Sequence, residues 1–242
     1  MAAADYDAVT AQHYLAYRPP LHGLILGRLL AGRTFASGLD VGCGTGASAR
    51  ALLPFCRAVT GIEPVAEMGA LAREHATGFT VLSTDLTAYA ATPATHDLIT
   101  FAGTLPYLTD ATVAAALPRL CRPGAAVVVY DFAIDCTPLF RTLGHAEPPS
   151  AYDHRRNLDR LGMGQLASGT ALRDAYEFHL TPREAAHLFL SVRTWRELPG
   201  VSADAQTLGQ RFADHDGLGQ LSLPATLFGY AYRWLGADAG AS

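Results

Sequence analysis

Leu39-Asp40-Val41-Gly42-Cys43-Gly44-Thr45-Gly46 decides the fold of this 242-residue chain. Phe35 to Val41 reads as a short strand running into the stretch, and Ala47 to Leu53 reads as a helix leaving it. Glycine at 42, 44 and 46 lets the backbone turn sharply between them and lets a ligand lie against main-chain atoms. The start of the helix also leaves N–H groups without intrahelical partners.

Outward from this loop the same rhythm continues. Ala58 to Ile62, Phe79 to Ser83, Asp97 to Phe101 and Ala125 to Tyr130 read as strands. Between them Val65 to His75 and Ala111 to Leu120 read as helices, the second ended by the turn Arg122-Pro123-Gly124. The 125–130 run has no polar alternation, as expected of a strand buried on both faces. Strands alternating with helices imply an α/β fold with a mostly parallel sheet and helices on both faces. Upstream, residues 10–31 have helical spacing, interrupted at Pro19-Pro20. Downstream of Phe132 the rhythm stops. Residues 135–177 are polar, rich in Gly, Pro and Arg, with weak helical periodicity, and are expected to form a cap over the carboxyl edge of the sheet. Thr181-Pro182-Arg183-Glu184 reads as a capping box opening a helix. Val192 to Leu198 and Leu227 to Trp234 are read as the last strands, paired antiparallel.

The glycines alone do not name a ligand, because Gly42, Gly44 and Ala47 also fit the G-x-G-x-x-G/A dinucleotide pattern. Asp40 helps decide. A carboxylate aimed into the loop repels a pyrophosphate and attracts an ammonium group. At an effective dielectric near 20, unit charges about 4 Å apart interact by roughly 4 kcal/mol before desolvation. S-adenosylmethionine carries an ammonium, a sulfonium and no phosphate. Two more acids fall where a nucleoside needs them. Glu63 ends the second strand, where it can accept from both ribose hydroxyls, a device that NAD sites share. Asp85 follows the third strand, where it can accept from an adenine amine with the Leu86 N–H facing a ring nitrogen; its ordinary role would be a helix cap.

Composition narrows the classes. Half the residues are apolar and 17% are charged, so a sizeable core can form. The net charge of −4 offers no basic surface for nucleic acid. All 18 basic residues are arginine, which excludes Schiff-base and pyridoxal-phosphate chemistry and a P-loop with its lysine. Cys43, Cys56, Cys121 and Cys136 form no CxxC pair, so free thiols and no zinc site are expected. No stretch approaches the roughly 18 apolar residues of a membrane span. The first residues, with Asp5 and Asp7, carry no basic cluster and no long apolar run, so a cytoplasmic protein is expected.

The runs LDVGCGTG, VTGIEP, STDLTAY, HDLITFAGTLPYL and LPRLCRPGAAVVVYDF, in that order, resemble the class I S-adenosylmethionine-dependent methyltransferases. The resemblance covers about residues 10–132 and looks closest to the small-molecule group that includes ubiquinone/menaquinone-biosynthesis and trans-aconitate methyltransferases. It implies a Rossmann-like sheet of seven strands, one of them antiparallel near the C-terminal edge. It also implies three regions: a cofactor-binding core with an N-terminal lid segment over 1–134, the cap over 135–177, and completion of the core sheet over 178–242. Carried over by position, Asp40, Gly42, Cys43, Gly44 and Gly46 would hold the methionyl part of the cofactor. Glu63 would bind ribose, and Pro64 would flank the adenine with Asp85 and Leu86. Phe101 and Ala102 would face the methyl group, and Tyr14 would belong to a lid element. S-adenosylhomocysteine would be the product.

Methyl transfer needs a base only where the acceptor is protonated at neutral pH. His154, His145 and Tyr107 are the candidates, with Tyr152 and Asp131 behind them. Arg155, Arg156 and Arg160 either recognise an acidic acceptor through forked hydrogen bonds or form a solvated face. No obvious base follows the fourth strand, where Thr104-Leu105-Pro106-Tyr107 stands. This leaves open a protein that keeps the cofactor but catalyses a different reaction, or one that only binds a ligand. A nicotinamide-dependent reductase is disfavoured by Asp40. A nucleic-acid methyltransferase lacks its Asn/Asp-Pro-Pro-aromatic signature and the right charge. The expected partner is a small-molecule acceptor, with no metal, nucleic acid or membrane.

Overall fold

Apolar runs too short for helices and bounded by glycine, proline or polar turns become the central strands. In the computed structural model, residues 7–216 and 219–236 are described; Asp5 and the rest of residues 1–6, with 217–218 and 237–242, lie outside them. The strands are β1 (Phe35–Val41), β2 (Cys56–Ile62), β3 (Thr80–Leu82), β4 (His96–Ala102), β5 (Cys121–Ile134), β6 (Leu166–Leu180) and β7 (Leu221–Trp234). They form one sheet in the order β3-β2-β1-β4-β5-β7-β6. The contacts among β1 to β5 are all parallel. The Leu235 N–H bonds to the Gln165 carbonyl at one end of the β6–β7 pair. At the other end the Ser222 hydroxyl donates to Glu177, so these two strands run antiparallel. The expected seven-stranded, mostly parallel sheet is thus present. Its order reverses between β1 and β4, and in such sheets the crevice at the reversal is where ligands bind.

The helices are α1 (Ala8–Ala16), α2 (Leu21–Leu30), α3 (Ala47–Ala51), α4 (Ala66–Glu74), α5 (Leu86–Ala90), α6 (Asp110–Leu120), α7 (Thr137–Thr142), α8 (Pro182–Leu190), α9 (Arg193–Arg196) and α10 (Ala205–Asp216). Asp7 caps α1 by accepting from the Thr10 N–H, and Pro19-Pro20 separates α1 from α2 as the sequence predicts. Thr181 and Glu184 form the predicted capping box.

The chain divides into two compact units. The larger comprises residues 20–132, 153–173 and 227–242; the smaller comprises 1–19, 133–152 and 174–226. In the larger unit Leu39, Val41, Ile62, Ile99, Phe101, Val127 and Val129 of the strands are buried with Leu86, Val113, Leu117 and Leu120 of the helices. Each such side chain contributes about 1.5–3 kcal/mol on leaving water. In the smaller unit Phe140, Phe189 and Trp195 pack in tilted and edge-to-face pairs with ring centroids 5.0–5.4 Å apart. His13 of α1 meets His187 of α8 with their Nδ1 atoms 3.0 Å apart.

Two segments differ from the sequence reading. Val192 to Leu198, expected as a strand, contains α9: the Trp195 N–H donates to the Val192 carbonyl. Packing of the Trp195 ring on Phe140 and Phe189 overrides the β-propensity of Val192, Thr194 and Trp195. Residues 166–177, expected to be the end of the cap, lie in β6. This edge strand is mostly exposed and so lacks the apolar alternation that announces a strand. The turn Arg122-Pro123-Gly124 is a bulge within β5, where Cys121 pairs with His96 but Ala126 already pairs with Leu98. Among the described residues, no helix is long and apolar enough to cross a membrane.

Candidate functional site: the glycine loop and the strand ends beside it

The loop after β1 is held by the end of β2. The amides of Gly42 and Cys43 both donate to the Ile62 carbonyl, at 2.8 and 3.1 Å. Gly42 (φ +70°) and Gly44 (φ +56°) take the left-handed conformation that glycine adopts at little cost. At Gly42 there is no room for a side chain, because a Cβ would stand 2.5 Å from Thr104 Cγ2. At Gly44 the main chain is bare: the nearest heavy atom to such a Cβ is Met68 Cε, 3.8 Å away.

Glu63, only 6% exposed, lies beneath this loop. Its Oε2 accepts from the Gly44 N–H at 2.9 Å and its Oε1 from the Val65 N–H at 2.8 Å. Burial raises its pKa, opposed by those two amides. Asp40 is fully buried. Its Oδ2 accepts from the Ser48 hydroxyl at 2.5 Å and its Oδ1 from the Thr100 hydroxyl at 2.8 Å. Burial pushes its pKa up to about 6 against these hydroxyls, with the Glu63 charge adding to the rise. Asp40 is thus held by hydroxyls of α3 and β4 and is fully buried, where the sequence leads one to expect a carboxylate facing into the loop. Cys43 is buried, its thiol also pushed up by burial. Asp85 is exposed and N-caps α5 by accepting from the Ala88 N–H at 2.8 Å, followed by buried Leu86. Pro64 is exposed.

The ends of β4 and β5 lie beside the loop in the larger unit. Phe101 is buried, Ala102 half-buried, and the Gly103 N–H donates to the Tyr130 carbonyl. Here the structure brings together two residues that the sequence could not join. His154 Nδ1 lies 3.2 Å from Asp131 Oδ2, an ion-pair distance without hydrogen-bond alignment. The His154 ring stacks near Phe228. Arg156 and Arg160 both pair with Asp110 at 2.8 Å, and Arg155 lies beside Asp153. Tyr107 ends a one-turn helix and is exposed. The other two candidates belong to the smaller unit: Tyr14 lies on α1 under the Arg18 guanidinium, and His145 Nε2 is 3.0 Å from the Pro199 carbonyl. Sequence reading named Asp131 and His154 separately; it missed Ser48 and Thr100, whose only signal is a hydroxyl on each neighbouring element. Among the described residues, no three His, Cys, Asp or Glu side chains gather as a metal site would need.

Residues 39–124 match a methyltransferase domain family. No curated protein sequence matches the chain. Among solved structures it is similar to a type II methyltransferase from Anaeromyxobacter dehalogenans, at 18% identity and a TM-score of 0.62, covering 91% of this chain and 100% of that one. A structure from work on the conversion of a disulfide bond into a thioacetal group during echinomycin biosynthesis is 18% identical with a TM-score of 0.53, over 90% of this chain and 82% of that one. A methyltransferase from Bacillus halodurans is 14% identical with a TM-score of 0.52, over 89% and 99%. Residues 39–124 are therefore similar to a methyltransferase domain, and the chain has the α/β Rossmann-like fold of the solved methyltransferases.

Proposed function

We propose that the chain is an S-adenosylmethionine-dependent methyltransferase with a small-molecule acceptor. The observation that carries the reading is the cradle at the ends of β1 and β2, where bare glycine main chain lies over a buried carboxylate. Glu63 holds only backbone N–H donors, and a ribose diol offers two O–H donors in exchange. Asp85, exposed at the end of β3, accepts from the adenine amine, with Leu86 and Pro64 beside the ring. Asp40 attracts the ammonium and sulfonium through the loop, by charge and without contact. Gly42, Cys43, Gly44 and Gly46 offer main chain to the methionyl group, and Phe101 and Ala102 lie toward the methyl group. When bound, the cofactor supplies a methyl carbon activated by its sulfonium. The chain's own task is to place a nucleophile roughly 3–3.5 Å from that carbon and to exclude water.

The order of motifs supports the cofactor and the fold; the small-molecule acceptor rests on the resemblance to the ubiquinone/menaquinone and trans-aconitate group. The fold neighbour from echinomycin biosynthesis makes a specialised metabolite the first acceptor class to try. Calorimetry with S-adenosylmethionine, S-adenosylhomocysteine and NADH tests the reading. Both adenosyl ligands are expected to bind and NADH not to. Glu63→Ala is expected to weaken adenosyl binding by roughly tenfold or more. Binding of NADH alone would overturn the assignment.

A further inference from the structure

α1 has nine residues, and an isolated helix shorter than about 12–15 is marginal in water, so what holds α1 decides whether it stays folded. Thr10 and Ala11 are its buried residues, and neither is large. Within the smaller unit it packs on α8. Polar ties fasten it at both ends. At its start, Arg196 of α9 donates Nη1 to the Thr10 hydroxyl at 2.7 Å and Nη2 to Asp7, whose other oxygen caps the helix. Near its end, His13 Nδ1 and His187 Nδ1 of α8 meet at 3.0 Å, with the two rings tilted by 47°. Both histidines are half-buried.

We propose that this histidine pair is a proton-operated latch: it docks α1 on α8 at neutral pH and frees the helix once the pair has taken up two protons. Two ring nitrogens 3.0 Å apart need one hydrogen between them, so one Nδ1 carries it and the other offers its lone pair. A first added proton goes to Nε2 of the donor ring. Its Nδ1–H still points at the lone pair, and the contact survives. A second proton must go to the accepting Nδ1. Two N–H bonds then face each other between two like charges, and the contact cannot persist. Burial, then the facing imidazole and Arg196, holds His13 below the usual 6.5 against the pull of Asp7; burial and Arg183 do the same to His187. Other charges on the packed elements are committed elsewhere: Glu184 to the Thr181 cap, Arg193 to Glu197, and, on α10, Arg211 to the Gly200 carbonyl and Asp214 to Gln210. Beyond α1, Tyr17 is pushed up to about 12 by burial and Glu184, and Arg18 lies over Tyr14. A histidine whose pKa is lowered by docking binds fewer protons docked than free. The latch is therefore fully closed above about 6.5 and weakens as pH falls below it. Release takes up one to two protons, so docking weakens roughly tenfold to a hundredfold per pH unit there. Against burial, the Thr10 hydrogen bonds and Arg196 keep Asp7 below its usual 3.8, so the start of α1 stays tied and release begins at His13. Tyr14, the residue expected in a lid, rides on the same helix.

The test is amide hydrogen exchange of the full chain between about pH 7.5 and 5, corrected for the intrinsic pH dependence of exchange. Protection of α1 is expected to fall by roughly tenfold or more while that of α6, in the larger unit, holds. His187→Asn keeps a hydrogen-bonding atom near the place of Nδ1 but takes up no second proton. In that variant α1 should keep its protection at about pH 5 to within roughly threefold of the neutral value. In the unsubstituted chain at about pH 8, the ¹⁵N shifts of His13 and His187 should show one Nδ1–H and one bare Nδ1. Overturning results are α1 protection that falls no more than that of α6, a His187→Asn variant that loses protection as steeply as the parent, or two bare Nδ1 atoms at about pH 8. The tautomer measurement needs no variant, so it decides even where His187→Asn fails to fold. With no cofactor or acceptor in the sample, failure here is separable from failure of the adenosyl-binding test.

Discussion

The ends of β1 and β2 and the ends of β4 and β5 are neighbours in one sheet, yet they treat polar groups in opposite ways. At β1 and β2, both oxygens of Asp40 and both of Glu63 hold donors from the chain itself. At β4 and β5, the Arg156 Nε–H is buried without an acceptor, and the Asp131–His154 approach lacks hydrogen-bond alignment. The first region spends its polar groups on holding a loop in shape. The second leaves the Arg156 Nε–H without an acceptor, and a buried donor without one is where a ligand can add stability.

Substitutions should break this contrast in graded fashion. Gly42→Ala should have the largest effect. Its Cβ would meet the Thr104 side chain at 2.5 Å in a left-handed backbone. A loss of about 3 kcal/mol in urea unfolding is expected, from roughly 1–2 for the conformation plus overpacking. Adding Thr104→Ala should recover the steric part and leave about 1–2 kcal/mol. Recovery of the whole loss would mean that the backbone conformation carries no cost.

Asp40→Asn should give the next largest effect, and its sign depends on pH. A carboxyl whose pKa is raised by folding binds its proton more tightly in the native state, so ionising it destabilises the fold. The Asp40 contribution is therefore fully present below its ordinary value of 3.8 and is lost as pH rises through about 6. The loss is on the order of 3 kcal/mol. Asp40→Asn should then be more stable than the parent at pH 8, with the difference shrinking toward pH 4. It should nevertheless bind S-adenosylmethionine at least about tenfold more weakly, because the charge under the loop is gone. Parallel pH profiles for parent and variant would mean that the Asp40 charge costs the fold nothing. The smallest effect belongs to the second region: His154→Ala should change unfolding stability by less than about 1 kcal/mol, since its side chain is partly exposed and its ring stands 6.3 Å from that of Phe228. A larger loss would make His154 a structural residue.

What the sequence disclosed follows the same division. β1, β2 and β4 are buried runs between turn residues, and the acids at the strand ends have fixed spacing from the glycines, so both elements and positions could be read directly. Asp40 could be placed but not understood, because its partners Ser48 and Thr100 arrive from another helix and another strand. His154 and Asp131 are 23 positions apart across an irregular stretch, and no periodicity carries a contact across it. β6 was hidden for a simpler reason: an exposed edge strand such as Ser168-Gly169-Thr170-Ala171 has no face that must be apolar.

The bulge at Arg122-Pro123-Gly124 has a consequence far from itself. Exposed turns ordinarily tolerate insertions and deletions. This one sits inside a strand, and side chains along a strand alternate between faces. Asp131 lies seven residues beyond Gly124, roughly 23 Å at 3.3 Å per residue. Where Cys121 keeps its pairing with His96 and the bulge keeps its shape, the register of β5 beyond it, and so the face on which Asp131 emerges, is set by the number of residues in the bulge. Gain or loss of one residue there would exchange the places of Tyr130 and Asp131, whereas a change of two would preserve them. A surface turn is thus under an even-number rule imposed by the far end of its strand.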